Sequence, residues 1–399
     1  MTVAAELLRR YRPLLRYDSQ ESYFADSAAI WTDSPGNVLR RADGEVIAAA
    51  RPKANQAQLS LSLLAAKQYS RGAPVRASDV ISDPTRDYST QAAAIHQRRE
   101  YANRMYGHTE TGSDGRLWLQ YWFFYFYNDY NLLGPLVRAG LHEGDWETIQ
   151  MRLNADNSEP DLAVFAQHSH AQAKPWGEVE RVDGRPVVYP ARGSHASYFS
   201  AGVHWTGVWF DYADGERATP ELTLEIVTGG DPEYRWIYWP GHWGDTKSSG
   251  GLDATSPTGP AAHGQWRDPH ALLEKAKDHA THELAPAPQP PATPEISVSR
   301  RDNALVIRYR VADAPGQAPL AQLTATVNSA QDPTPPSTYR QKIESIAGTI
   351  EFPLALRPDR AYDINVSVAS TDGVSSSSAR ADLPAAGAQS SRRASDRPS

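Results

Sequence analysis

The residues of this chain best placed to do chemistry are two acids at alternate positions of one strand. The segment His142-Glu143-Gly144-Asp145-Trp146-Glu147-Thr148-Ile149-Gln150-Met151-Arg152-Leu153 has period two from Asp145 onward. Asp145, Glu147, Ile149, Met151 and Leu153 then share one face, and Trp146, Thr148, Gln150 and Arg152 the other. Two carboxylates therefore lead the apolar face. An ionised carboxylate aimed at a core needs a cation, an arginine or a water-filled pocket, because its desolvation is otherwise uncompensated. His142 stands just upstream, Asp129 closes the preceding aromatic run, and His195 lies in the segment ARGSHASYF. Carboxylate oxygens, with imidazoles to hold waters, are the donor set of a hard divalent cation, calcium or magnesium. On this reading Asp129, His142, Asp145, Glu147 and His195 form a metal site.

The same residues admit other readings. Paired with Arg104, Arg152 or Arg192, the acids form a salt-bridged core in a non-catalytic sorting or interaction protein. With an ion that activates water and His142 or His195 as base, they form a metal-dependent hydrolase. A glycosidase pair fits the spacing, roughly 6 to 7 Å along a strand face, but any alternating strand with two acids gives that distance. A zincin is excluded because Trp146 stands four residues after His142, where a second histidine is needed. Ser194 and His195 are neighbours whose side chains diverge on a strand, so they are not a nucleophile and its base. His168 and His170, facing the same way at a strand end, form a structural pair or a second metal pair. No nucleophile or general-acid motif is present, so binding is expected ahead of catalysis.

These side chains must be positioned by strands. The run LWLQYWFFYFYNDY, from Leu117, is apolar or aromatic on both parities, as in a strand covered on both faces. Trp118, Trp122 and Phe124 are expected in the core. Trp176, Trp205 and Trp243 adjoin Gly, Pro or His, Trp209 lies two residues from Gly207 and Asp211, and all four are expected at loop tips, with Trp176, Trp205 and Trp243 offering a platform for sugars or lipid headgroups. Ala4 to Arg10 reads as a short helix, Glu45 to Ala50 and Gln58 to Leu64 as strands, and Thr90 to Tyr106 as a helix by propensity. Strand character recurs at Leu162 to His168, Pro186 to Tyr189, Val203 to Tyr212, Leu222 to Val227 and Tyr234 to Trp239, with turn-rich spacing typical of an antiparallel β-sandwich. Gly241 to Pro269 reads as a long loop pinned by Trp243 and Trp266. Asp268-Pro269 then opens a helix to about His282.

Composition divides the chain. All eleven Trp lie at or before Trp266 and all twelve His at or before His282, although more than a hundred residues follow. Residues 1–284 are read as the first domain, 285–294 (APAPQPPATP from Ala285) as a Pro-rich linker, 295–384 as a second domain and 385–399 as a disordered tail. The fold class is mainly β: an antiparallel sandwich with a few peripheral helices, then a second sandwich. Alternation at Ala304 to Val311, Ala321 to Val327 and Tyr362 to Ala369, with Leu356 to Tyr362 leading into the last, resembles a fibronectin type III module and its tyrosine corner; Tyr309 stands where that family usually has tryptophan. A net charge of -7 offers no basic face for nucleic acid. Without cysteine there is no disulfide, thiolate metal site or thiol nucleophile. No apolar run has membrane-spanning length, and arginines interrupt the first twenty residues where a signal peptide would be continuous. The expectation is a soluble protein, cytoplasmic or exported without a recognisable N-terminal signal.

The ordered blocks LQYWFFYFYND, HEGDWETIQMRL, AVFAQHSH, VVYPARGSHASYF and YWPGHWGD with SPTGP resemble the vacuolar-protein-sorting family first named from fungi, over most of residues 11–270. That family's name implies no reaction. More distantly, the same region is similar to the necrosis-inducing NLP toxins, with a Gly-His-Arg-His-Asp-Trp-Glu block after an aromatic strand ending in Asp. The resemblance implies a β-sandwich holding calcium or magnesium that binds glycosylated sphingolipid headgroups on membranes. Its motif places Asp129, His142, Asp145, Glu147 and His195 on the toxins' corresponding residues. This chain departs by carrying Glu143-Gly144 where the toxins have Arg-His and by inserting residues between Asp129 and His142. The combined expectation is a divalent-cation-dependent protein that binds a glycan or lipid headgroup, with peripheral membrane contact.

Overall fold

A computed structural model describes residues 3–69, 72–85, 88–130, 140–206, 210–218, 221–245, 256–279, 291–302, 304–313, 318–328, 337–352, 356–371 and 376–386. The chain divides into two compact units, the first holding the described residues through His279 and the second those from Pro291. Most of the expected linker, the expected tail beyond Ala386, and Trp209 lie outside the described residues.

The aromatic strand Leu117–Asn128 and the acidic strand His142–Leu153 pair antiparallel at the centre of a six-stranded sheet. Its order is His170–Pro175, Pro160–Gln167, His142–Leu153, Leu117–Asn128, Arg104–Thr111, Thr223–Ile226. Neighbours are antiparallel except the last pair, where Thr223 runs parallel beside Arg104. Both faces are covered, as the double aromatic parity requires. Leu119, Tyr121, Phe123 and Tyr125 pack with Ile149, Met151 and Leu153 against Leu15, Tyr17 and Val188 of a second sheet. That sheet joins Leu14–Tyr17 in parallel to Arg185–Pro190. Trp122, Phe124 and Phe126 pack on the other side against Leu39, Ala48 and Ile81 of a four-stranded sheet and against Trp236, Trp239, Trp243 and Trp266. The helix His270–His279 covers Trp118 and Val164 with Leu272 and Ala276, and Asp268 caps it by accepting from His270 N–H at 3.1 Å.

Four local expectations are corrected. After the short strand Ala57–Gln58, Ser60 caps a helix, Leu61–Leu64, by accepting from Leu63 N–H at 3.2 Å, and ends the strand. The helix Tyr88–His96 stops well before Tyr106, because Arg104–Thr111 is claimed by the central sheet. Pro232–Tyr238 is a 3-10 helix, started by the Asp231 side chain and a proline at its first position. Gly202–Trp205 and Phe210–Ala213 form a hairpin where one strand was expected.

The second unit is a three-on-four β-sandwich. Glu295–Arg301, Ala304–Arg310 and Ala347–Phe352 form one sheet; Ser337–Lys342, Leu320–Asn328, Tyr362–Ser370 and Ala379–Leu383 form the other. Leu305, Ile307, Tyr309, Leu323, Ile364 and Val366 fill its core. The Tyr362 hydroxyl accepts from Arg357 N–H at 3.0 Å, the bond of a tyrosine corner.

One glycine organises the acidic strand. Gly144 has φ +54°, and a Cβ there would collide with the Trp243 carbonyl. The left-handed residue breaks the alternation, so Glu143 turns to the side away from Asp145. Its carboxylate accepts from Asp83 N–H at 3.1 Å, Tyr88 Oη at 2.7 Å and Asp245 N–H at 2.7 Å. Burial pushes the Glu143 pKa up to about 7 despite those bonds. Gly144→Ala is expected to destabilise the first unit by about 2–4 kcal/mol, from a strained dihedral and a steric clash, measured by urea unfolding followed through tryptophan fluorescence. An unchanged unfolding midpoint would show that the strand tolerates a Cβ.

Candidate functional site

At the Gly144 end of the acidic strand, Asp145 lies opposite Tyr125 and Glu147 opposite Phe123. The His195 ring lies flat on Tyr125, with centroids 3.9 Å apart and planes within 4°. Its Nδ1 is 2.9 Å from Asp145 Oδ2 and its Nε2 is 3.7 Å from Glu21 Oε1. Glu21 is locked in turn by Gly193 N–H at 2.7 Å, Ser22 N–H at 2.7 Å and Tyr23 N–H at 2.8 Å. The tight loop that delivers His195 has φ +74° at Gly193 and +56° at His195. A Cβ on Gly193 would press on the Asp129 carbonyl, so Asp129 reaches this end as backbone packing around the loop.

His195 is fully buried, which by itself disfavours its charge, yet Glu21 and Asp145 outweigh burial and raise its pKa to about 9. Glu21 shifts the other way: burial would raise it, but the His195 charge and the backbone N–H bonds hold it below the usual carboxylate range. The partner of the acids is therefore an imidazolium, and none of the three arginines considered from sequence. Arg152 bonds Asp161 at 2.9 Å, Arg104 reaches Glu225 at 4.0 Å and Arg192 donates to Gln20 Oε1 at 2.8 Å.

His142 is also committed. Its Nδ1 donates to the Gly144 carbonyl at 2.9 Å, and its Nε2 accepts from Asn128 Nδ2 at 2.9 Å. Asn128 Oδ1 accepts from Tyr130 N–H at 2.9 Å, which fixes the amide orientation and with it the His142 tautomer. His142 Nε2 remains 4.0 Å from Asp145 Oδ1.

Glu147 differs from its neighbours. It is walled by protein yet keeps part of its surface open to solvent, and its pKa is pushed well above the usual range by burial and then by the charges of Asp145 and Asp211, against a weaker opposing effect of Lys275. Asp211, on the hairpin strand Phe210–Ala213, is buried and accepts from His168 Nε2 at 2.8 Å, Ser194 Oγ at 3.1 Å and Tyr198 Oη at 2.8 Å. Burial opposes both charges, but their mutual attraction lowers Asp211 and raises His168. His168 and His170 do not face the same way: His168 sits in the turn between two paired strands with φ +53°, while His170 pairs with Gln167. Sequence reasoning missed Asp211, Glu21 and Tyr198. Nothing in their spacing marks them, because they arrive from three other segments.

The five expected metal-site residues thus gather at one end, but among the described residues no three His, Asp or Glu side chains are grouped as an ion's ligands. The tryptophan platform is corrected. Trp243 is fully buried, 5.3 Å from Phe124 and 5.5 Å from Trp146. Its glycine neighbours mark close packing rather than a loop tip, since a Cβ on Gly244 would strike Glu143 and Ser256. Trp176 is buried at the opposite end of the sheet, edge-on to Tyr11 at 5.9 Å. Trp205 is half-buried on the hairpin that carries Asp211, 4.8 Å from Phe210.

A central sheet with both faces covered and a buried acid–histidine cluster at one end define a β-sandwich domain. The family model described as vacuolar protein sorting-associated protein 62 matches residues 2–210, and the chain belongs to this family. Vacuolar protein sorting-associated protein 62 of Saccharomyces cerevisiae is 29% identical over 173 residues, 33% of this chain and 35% of that protein. The putative vacuolar protein sorting-associated protein TDA6 of the same yeast is 26% identical over 198 residues, 38% of this chain and 40% of its own. The matched region thus spans well under half the length of these relatives. Among solved structures, Necrosis and Ethylene inducing Protein 2 from the causal agent of cocoa's Witches Broom disease aligns with 68% of this chain and 90% of its own, at 15% identity and a TM-score of 0.33.

The buried charges set the pH dependence of stability. His195 has a folded pKa above its unfolded 6.5, so its contribution is complete below about pH 6.5 and is lost as pH rises through about 9, on the order of 3 kcal/mol. Glu21 and Asp211 are depressed, so their contributions are present above their unfolded values and are lost as pH falls toward the folded ones. Urea midpoints across pH should therefore fall on both flanks, and His195→Gln should flatten the alkaline flank. An alkaline flank unchanged in that variant would remove the imidazolium from this account.

Proposed function

We propose that the first β-sandwich is a divalent-cation-dependent binding domain for a glycan or lipid headgroup. The observation that supports this most is Glu147, a solvent-reachable carboxylate raised by burial and by two neighbouring carboxylates while His195 and His168 are already spent on Asp145, Glu21 and Asp211. The residues present fit a hard cation through oxygen. Asp145 Oδ1 and Glu147 would hold it with waters, while His195 and His142 orient Asp145 and the water shell and are too committed to ligate directly. A bound calcium or magnesium ion there offers its open positions to ligand hydroxyls or phosphate oxygens. Trp205, on the Asp211 hairpin, is the expected tryptophan that remains at this end to pack against a sugar face.

A hydrolytic reading needs a base. His195 is sealed from solvent with a pKa near 9, and the His142 lone pair is taken by Asn128. His168, held by buried Asp211 and reaching solvent, is the imidazole that such chemistry would use.

Calcium or magnesium should raise the melting temperature of chelator-treated protein, by about 2.7 kcal/mol of stabilisation at a hundredfold excess over Kd. Glu147→Gln should abolish that rise. Because the raised Glu147 pKa costs stability as pH climbs above its unfolded value, the same variant without ion should be more stable than wild type at neutral pH, by on the order of 1 kcal/mol, with the gain gone near pH 4. Retention on a glycolipid array should follow the ion. Melting curves indifferent to every divalent ion would sink the proposal; product release that disappears in His168→Ala would replace it with hydrolysis.

A further inference from the structure

A second site lies at the other end of the acidic strand. From Asp145 to Asn154 the strand climbs nine residues, about 30 Å. There a cavity of about 540 Å³ opens, lined by Arg10, Tyr11, Glu159, Trp176, Arg181 and Asp183 among others. Its size suits a small molecule rather than a chain segment.

The walls hold charges of both signs that do not neutralise each other. Among the described residues, Arg10, Arg181, Glu159 and Asp183 form no ion pair, whereas Asp161, which also lines the cavity, is taken by Arg116 at 2.6 Å and Arg152 at 2.9 Å. The two guanidinium groups are held by rings instead: Arg10 lies 5.2 Å over Tyr11 and Arg181 lies 5.0 Å over Trp176. Both rings are buried and fixed. Tyr11 Oη donates to the Ser158 carbonyl at 3.0 Å, and Arg181 Nη1 donates to the Trp176 carbonyl. Asp183 is set by a tight turn with Gly184, at φ +52° and +75°. A stacked guanidinium keeps free donors for an oxyanion, and the acids keep free acceptors for an ammonium. A simple anion would meet the acids and a simple cation the arginines; a molecule carrying both charges satisfies all four.

We propose that this cavity binds a small zwitterion of the amino-alcohol phosphate type, its oxyanion on Arg10 and Arg181 and its ammonium on Glu159 and Asp183. The test is calorimetric titration of the full chain with phosphoethanolamine, inorganic phosphate and ethanolamine, each separately. Phosphoethanolamine should bind at least tenfold tighter than either fragment. Arg181→Lys, which keeps the charge but loses the fork, and Glu159→Gln should each weaken it about tenfold, while Lys53→Gln, at an exposed residue outside the cavity lining, leaves it unchanged. Cosedimentation with phosphatidylethanolamine vesicles would assign a lipid headgroup as the source, and binding of the soluble ester alone a free metabolite; both support the site. Phosphate binding as tightly as phosphoethanolamine, or no heat from any probe with folded protein, would overturn it.

Discussion

The first unit depends on one buried cation. His195 joins three segments distant in sequence: the extended stretch carrying Glu21, the acidic strand carrying Asp145, and its own left-handed loop, with the Tyr125 ring as a floor. A neutral imidazole could donate to only one of the two carboxylates, leaving Glu21 with its backbone N–H bonds alone against the cost of burial. Protonation resolves this, and the carboxylates in turn hold the proton on. Replacing the group by a flexible arginine would supply charge but not the flat ring that stacks on Tyr125.

Around that cation, Gly144 distributes three acids of one strand between two networks. Glu143 closes on Asp83, Tyr88 and Asp245 at one side, while Asp145 and Glu147 face His195 and the Asp211 group at the other. The left-handed glycine and the close approach of Trp243 are the same feature seen from two chains of atoms: a side chain at residue 144 would both strain its own backbone and displace the backbone of Trp243. The aromatic core and the acid cluster are thereby mechanically continuous, and the glycine between two of the carboxylates sets their orientation.

The two ends of the sheet place polar groups by different physics. At the Gly144 end, buried charges compensate one another through short hydrogen bonds, and the Glu147 pKa is raised by burial and by the neighbouring carboxylates. At the Asn154 end, guanidinium groups lie on indole and phenol faces, and beyond the Arg181 bond to the Trp176 carbonyl they keep donors to spare. The first end tolerates little change in charge without loss of stability; the second carries its charges at the surface, where substitutions cost the fold little.

The amino-acid sequence by itself determined the strand pair, its parity and the two-sided burial of Leu117–Asn128, because period-two alternation and unbroken aromatic character are local properties that burial reads directly. It also determined that Asp145 and Glu147 share a face and need compensation, and it brought His195 into view. Only the tertiary structure decided how that compensation is made. Glu21, Asp211 and Tyr198 converge from segments whose spacing carries no signal, and they turn His195 and His168 into charged partners rather than open ligands. Gly144 could not be read as a switch of face, since its strain and its contact with Trp243 exist only once the loop is folded over the strand. The glycines beside Trp243 suggested a loop tip for the same reason: glycine permits both exposure and the closest packing, and which of the two it serves depends on what lies opposite.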